Sequence, residues 1–289
     1  MKKKEENDVW LYTISSKHKL IDLKFEEIWR YRDLLLLFVK RDIVTVYKQT
    51  ILGPLWYVIQ PLFTSVIFTL IFNNLGQIQT GSVPPFLFNL AGITAWNYFK
   101  LCLTGTSNTF STNAGIFGKV YFPRVIVPLS VVISNLLKFG IQLCIFFCFY
   151  AYYVFQGSLV SINSEVILFP IYILMMALLG LGLGMIISSF TTKYKDLTVL
   201  VGFGVQLLMY ASAVPYPVSE AKLKFPSWFV PFVEYSPFTQ IIEGFRYILL
   251  NTGSFSLTGF LYTLVTSFIV FILGLIIFNK TEKSFIDTV

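Results

Sequence analysis

Six apolar stretches, near Trp56–Asn73, Pro85–Leu103, Val127–Phe155, Val166–Phe190, Leu197–Val214 and Leu257–Phe278, decide what this chain can fold into. Each approaches or exceeds the roughly 20 residues that a helix needs to cross the hydrocarbon core of a bilayer. Backbone N–H and C=O groups in lipid have to be satisfied within the segment, so stretches of this length imply helices. The composition agrees: 55% of the 289 residues are hydrophobic, 18% aromatic and only 13% charged. A charged share near half the usual ~25% of soluble domains, with a mean hydropathy of +0.71, leaves most of the surface facing lipid. The sequence therefore predicts an all-α integral membrane protein with six spans.

The loops orient it. Lys119 and Arg124 lie between the second and third stretches, Lys193 and Lys195 between the fourth and fifth, and Lys280 and Lys283 after the sixth. The alternate loops, Asn74–Pro84 and Gln156–Ser164, hold neither Lys nor Arg. By the positive-inside rule both termini are expected in the cytoplasm. Residues 1–24 read as a polar tail whose charged start, Met1 to Asp8, does not resemble a cleavable signal peptide. A net charge of +7 is also a mark of nucleic-acid binders, but 11 of the 22 basic residues precede Ile51, where attraction to a membrane surface accounts for them.

Residues 25–48 predict an amphipathic helix. Phe25, Ile28, Trp29, Leu35, Leu36, Val39, Ile43 and Val46 step by three or four, while Glu26, Arg30, Asp33, Lys40 and Arg41 fall on other faces. Its apolar centre, Leu34 to Val39, is flanked by Asp33 and Lys40, too short to span, so this helix is expected to lie in the interface. Residues 51–289 then form a six-span transmembrane domain.

The segment Pro215–Ser256 is expected outside, yet it carries Phe225, Trp228, Phe229, Phe232, Tyr235, Phe238, Phe245 and Tyr247. Ser236 followed by Pro237 marks a helix start, and Asn251-Thr252-Gly253 a stop after Leu250. At 1.5 Å per residue that helix is about 21 Å long, too short to cross. A pair of short helices dipping back from outside over residues 215–253 is expected. Glu243 and Arg246, one turn apart, can pair; a solvated bridge and a gating role are both open at this point. Gly180, Gly182 and Gly184, with Gly202 and Gly204, permit close helix approach, either within the chain or between subunits.

No catalytic constellation emerges. The single histidine, His18, supplies neither a metal cluster nor a Ser–His pair. Cys102, Cys144 and Cys148 sit in apolar runs and read as small hydrophobes, and no GxxxxGK[ST] loop is present. Lys138 stands out inside the third stretch, with Ser134 and Gln142 at four-residue steps; snorkelling to the interface and contact with a substrate both fit it. Trp56, Tyr57, Phe63, Phe68, Phe72, Trp96, Tyr98, Phe99 and Tyr210 supply aromatic surface, as interface anchors or as faces on which sugar rings stack. An integral membrane transferase would need paired carboxylates or a metal site, and Glu165 and Glu234 have no partner carboxylate nearby in sequence.

Several motifs are more specific. Tyr47-Lys48-Gln49-Thr50-Ile51-Leu52-Gly53-Pro54-Leu55-Trp56, ending in Gln60-Pro61, resembles the approach to the first span in ABC-type polysaccharide and polyol-phosphate export permeases. Asn113 to Arg124, followed by Pro128, is similar to their loop after the second span. Lys195-Asp196-Leu197, Ser212-Ala213-Val214-Pro215-Tyr216-Pro217, Ser236-Pro237-Phe238 and Glu243-Gly244-Phe245-Arg246 complete the set, with Lys195-Asp196 where many members have Arg-Asp.

The resemblance implies a homodimeric, multi-pass permease of a bacterial inner membrane, joined to two copies of a separate ATPase that binds the ATP and Mg. No cofactor, metal or catalytic residue is expected in this chain. Its substrate would be a lipid-linked polysaccharide of O-antigen, capsule or teichoic-acid type. Arg41, Asp42, Lys119, Phe122, Pro123 and Arg124 become candidates for coupling to the ATPase. Trp56, Tyr57, Phe63, Phe68, Tyr98 and Tyr210 become candidates for the channel lining, and Pro215, Tyr216, Pro237, Phe238, Glu243 and Arg246 for an external gate. A small-molecule or lipid efflux permease of the same superfamily is the alternative.

Overall fold

A computed structural model describes residues 25–48, 53–158, 160–194 and 196–285, with no strand among the described residues. The expected tail over residues 1–24, the Gln49-Thr50-Ile51-Leu52 part of the first motif, and Lys195 lie outside them. Residues 25–48, expected as one amphipathic helix, are helical as α1 (Phe25–Arg30) and α2 (Arg32–Lys48). Helical hydrogen bonds run across the junction, from Tyr31 N to Glu27 O and from Leu35 N to Tyr31 O, both 3.0 Å.

The bundle comprises α3 (Trp56–Phe68), extended by a wider π turn over Thr69–Leu75, then α4 (Pro85–Ser107), α5 (Thr109–Phe117), α6 (Ile126–Phe155) and α7 (Phe169–Thr191). After α8 (Leu197–Ala211) come three short helices, α9 (Val218–Lys224), α10 (Val230–Glu234) and α11 (Pro237–Leu250), and finally α12 (Leu257–Phe285). Helix α11 starts on Pro237 and ends where Asn251 turns left-handed at φ +51°, the start and stop expected from its sequence.

Among the described residues four helical stretches are long and apolar enough to cross a membrane: Trp56–Leu75, Ile126–Phe155, Ser164–Thr191 and Leu257–Glu282. The other two expected spans differ for opposite reasons. Helix α4 has 23 residues but carries Asn89, Thr94, Asn97, Lys100, Thr106 and Ser107. It is packed against α3, α6, α7, α8 and α11, which bury Asn89, Thr94, Thr106 and Ser107 in protein rather than lipid and leave Asn97 and Lys100 half-buried. Asn89 Nδ2, for example, donates to Asn73 Oδ1 at 2.8 Å and to Thr69 Oγ1 at 3.1 Å. Helix α8 has 15 residues, about 22 Å, short of a hydrocarbon core of about 30 Å.

Glycines place α7 at the centre. A Cβ on Gly180 would meet Cys102 Cβ at 2.7 Å, and one on Gly184 would meet Thr106 Cβ at 2.5 Å, both on α4. One on Gly182 would fall 2.7 Å from Val270 O of α12. Two faces of one helix are thus bared so that backbones approach on both sides. Gly202 and Gly204 on α8 have nothing within 4 Å, so close packing inside the chain does not account for them.

Candidate functional site

Helix α12 runs from the short helices at its start to the α2 and 118–125 region at its end, so these two regions occupy opposite ends of the bundle. The end at α2 and residues 118–125, the rim, is organised by rings. Phe38 of α2 lies 5.7 Å from Phe122, Phe122 5.8 Å from Phe117, Phe117 6.0 Å from Phe110, and Phe110 stacks on Phe278 of α12 at 4.6 Å. Cations flank this row: the Arg41 guanidinium sits 4.7 Å over Phe38, and that of Arg124 sits 5.2 Å over Phe117. The row joins α2 to α12 through ring contacts spaced as aromatic pairs normally are.

Arg124 is buried, at 4% exposure, and its Nη1 donates to Glu282 O at 2.8 Å, with Nε 3.9 Å from Glu282 Oε1. Burial pulls the guanidinium's pKa down, and the Glu282 carboxylate pushes it back up. Arg41 bonds its neighbour Asp42 at 2.9 Å, and Ser130 Oγ reaches the other Asp42 oxygen at 3.4 Å.

The coupling candidates therefore divide. Arg41 and Lys119 are exposed and Asp42 and Pro123 half-buried, whereas Phe122 and Arg124 are interior and hold the loop in place. Sequence reasoning missed Phe38, Phe110, Phe117 and Phe278. The seven-residue step from Phe110 to Phe117 on one helix face was the available signal.

Along the bundle, α3 and α8 meet through Phe68 and Phe72, whose rings lie 6.2 and 6.4 Å from Tyr210. Beside this contact the chain leaves a broad face uncovered. Trp56, Phe63, Val66 and Ile67 on α3 and Val199, Phe203, Leu207 and Tyr210 on α8 are exposed. So are Gln60 and Gln206, and a groove of about 500 Å³ runs along α3 from Trp56 to Ile67. Among the channel candidates, Trp56 and Phe63 line this groove, Tyr210 is exposed on α8, Phe68 is buried against Tyr210, and Tyr57 packs its ring 5.2 Å from Lys138 Nζ. Tyr98 is elsewhere: it is buried between α4 and α6, its ring 5.0 Å from Phe139.

The opposite end is capped by α9, α10 and α11. Arg246 is at its centre with 0% exposure. Its Nη1 donates to Ala213 O at 2.8 Å and bonds Glu243 Oε1 at 3.2 Å, Nη2 donates to Val214 O, and Nε reaches Phe88 O at 3.4 Å. Its guanidinium also stacks 3.6 Å over the Phe88 ring. The pair is thus buried, not a solvated bridge.

Ala213 has φ +52°, a left-handed conformation that costs a non-glycine residue about 1–2 kcal/mol. The bond from Arg246 to its carbonyl holds that strained corner at the end of α8. Tyr216 is buried in the same turn and donates to Tyr210 O at 2.6 Å; burial pushes its phenol up to about 12. Pro215 is buried beside it, so Pro215, Tyr216, Glu243 and Arg246 gather at this turn, whereas Phe238, at the start of α11, packs 4.7 Å from Phe99 further along α4. Among the described residues no three His, Cys, Asp or Glu side chains gather as a metal site would require.

Comparison with known proteins follows the same outline. Residues 33–250 match the family described as ABC-2 type transporter. Two proteins named O-antigen export system permease protein RfbA, both from Klebsiella pneumoniae, are 29% identical over 257 and 256 residues, covering 88% of this chain and 94% of each relative. A protein of the same name from Myxococcus xanthus is 28% identical over 193 residues, 67% of this chain and 72% of the relative.

Proposed function

Because the chain belongs to the ABC-2 type transporter family, we propose that it is the membrane permease subunit of an ATP-driven exporter of lipid-linked polysaccharide. The polymer would be of O-antigen, capsule or teichoic-acid type, moved out of the cytoplasm across a bacterial inner membrane. Two copies of this chain would assemble with two copies of a separate ATPase, which binds the ATP and Mg. The relatives' names support the substrate class, and the basic loops support six spans with both termini cytoplasmic.

The uncovered face of α3 and α8 carries the reading. It is aromatic and uncharged, which suits a surface along which a polymer slides. It also exposes Gln60 and Gln206 and the open backbone at Gly202 and Gly204. Polar amides and bare backbone are poor neighbours for lipid chains, and they fit a second subunit or an aqueous passage instead. The rim supplies the handle: exposed Arg41, Lys119 and Tyr121 for contact, with Phe122 and Arg124 behind them to carry displacement into α12.

Reconstitution tests this directly. The purified chain in lipid nanodiscs is expected to hydrolyse no ATP, to gain hydrolysis with its ATPase partner, and to be required for polymer to reach the cell surface. ATPase activity without a partner, or normal surface polymer in cells lacking the chain, would overturn the proposal. Replacing Phe122 and Arg124 together should abolish export while leaving membrane insertion unchanged.

A further inference from the structure

Between the cap and the start of α12 lies a cavity of about 600 Å³, within the about 300–1,000 Å³ typical of ligand sites. One wall is α9 and the end of α10, where Lys222 Nζ bonds Glu234 Oε1 at 2.7 Å. The floor is α11, contributing Gln240 and Glu243, and the far wall is the start of α12. Gln240 is fixed by a 2.8 Å bond from its Nε2 to Glu234 O, and its Oε1 packs where a side chain at Gly259 would otherwise stand. Ser256 and Thr258 hydroxyls, 2.7 Å apart, line the mouth.

Charge in this cavity is compensated: Lys222 by Glu234, and Glu243 by Arg246. A phosphate or a metal ion would find no surplus opposite charge. What the lining offers is neutral hydrogen-bonding groups and two rings, Tyr235 at 69% and Tyr262 at 49% exposure. Neither ring packs on another aromatic among the described residues. Hydroxyls, a fixed amide and free aromatic faces are the complement of a sugar, whose C–H face is apolar and whose edge is polar.

We infer that this cavity is a subsite for a short, uncharged stretch of glycan on the side of the membrane opposite the rim. The inference rests on the exporter reading above. Its floor residue Glu243 also holds Arg246, which bonds the carbonyls of Ala213 and Val214. Glycan in the cavity would therefore lie just above the buried ion pair that holds the turn after α8.

The test uses the full chain in complex with its ATPase in nanodiscs. The probe is short oligosaccharide cut by mild acid from the polymer displayed by the host cell, followed by saturation-transfer NMR. Saturable binding is expected, weakened about tenfold or more by Tyr262→Ala and by Tyr235→Ala, with thermal unfolding unchanged since both rings are exposed. Binding that is absent in the native complex, or equal in both variants, would overturn the subsite. So would displacement of the oligosaccharide by soluble glycerophosphoglycerol, which would make it a lipid-headgroup site. Loss of surface polymer on deleting the chain is scored separately, so a failed subsite and a failed exporter reading give different results.

Discussion

The two buried arginines, one at each end of the bundle, are held in different ways. Arg246 has 0% exposure, and its carboxylate partner Glu243 has a side chain only 4% exposed, 3.2 Å away. Arg124 is nearly as buried, but Glu282 lies at 3.9 Å with a side chain 30% exposed, at the far end of α12. Arg246 also bonds carbonyls belonging to α4 and to the turn after α8, whereas the carbonyl that Arg124 bonds is on α12. An ion pair enclosed on all sides is costly to break, while one whose carboxylate meets water loosens at modest cost. The cap is thus built as a lock, and the rim as a joint that an outside contact can work.

The largest effect expected from this contrast is at the cap. Arg246→Met should destabilise the protein by about 3–5 kcal/mol, because it strands a buried carboxylate and three carbonyls. Thermal unfolding in detergent measures it. Adding Glu243→Leu should return part of the loss, since the uncompensated acid is then gone. If Arg246→Met unfolds at the native temperature, the lock is not where the structure puts it.

A smaller effect tests the same point from the other side. A Cβ on Gly92 would collide with the Arg246 guanidinium and stand 3.0 Å from Val214 O. Because that guanidinium is tied to several carbonyls it cannot swing away, so Gly92→Ala should cost about 1–3 kcal/mol, the usual range for overpacking. Gly204→Ala has open space and should leave the unfolding temperature of an isolated chain unchanged or slightly raised, Ala being the better helix former. A change in the assembled complex alone would place Gly204 in a contact between chains.

These tests also mark how far the sequence was readable. The boundaries of α11 were, since Ser236-Pro237 and Asn251 act through local backbone chemistry. So were the four long apolar spans, whose length is written in composition. The pairing of Glu243 with Arg246 was also readable from a three-residue step, but its burial was not, because burial depends on α4 and the turn after α8. Tyr98 shows the same limit. Its residue type suits a channel wall, yet the rotation of α4 turns it towards Phe139, and rotation is set by neighbours rather than by composition. At the rim, Phe122 and Arg124 were picked out by motif, while the rings joining them to α12 come from helices far apart in sequence.

The smallest effect is expected at the rim, and it is the one that separates a joint from a lock. Arg124→Gln keeps much of the side chain's volume and removes the charge, so it should lower stability by about 1 kcal/mol, the net worth of the carbonyl bond beside a pair whose carboxylate reaches water. Raising salt from about 0.1 M to 1 M shortens the Debye length from about 10 Å to 3 Å and should weaken the native pair at Glu282. The enclosed pair at Glu243 should respond little. Unfolding of the native chain should therefore show a small salt sensitivity that Arg124→Gln abolishes and Arg246→Met retains. Coupling should report the opposite ranking of size: in the assembled complex Arg124→Gln should cut export per ATP hydrolysed well beyond its effect on stability. A variant that keeps native coupling, with salt sensitivity unaltered, would mean that the rim arginine fixes the loop as rigidly as Arg246 fixes the cap, and the distinction between the two ends would fall.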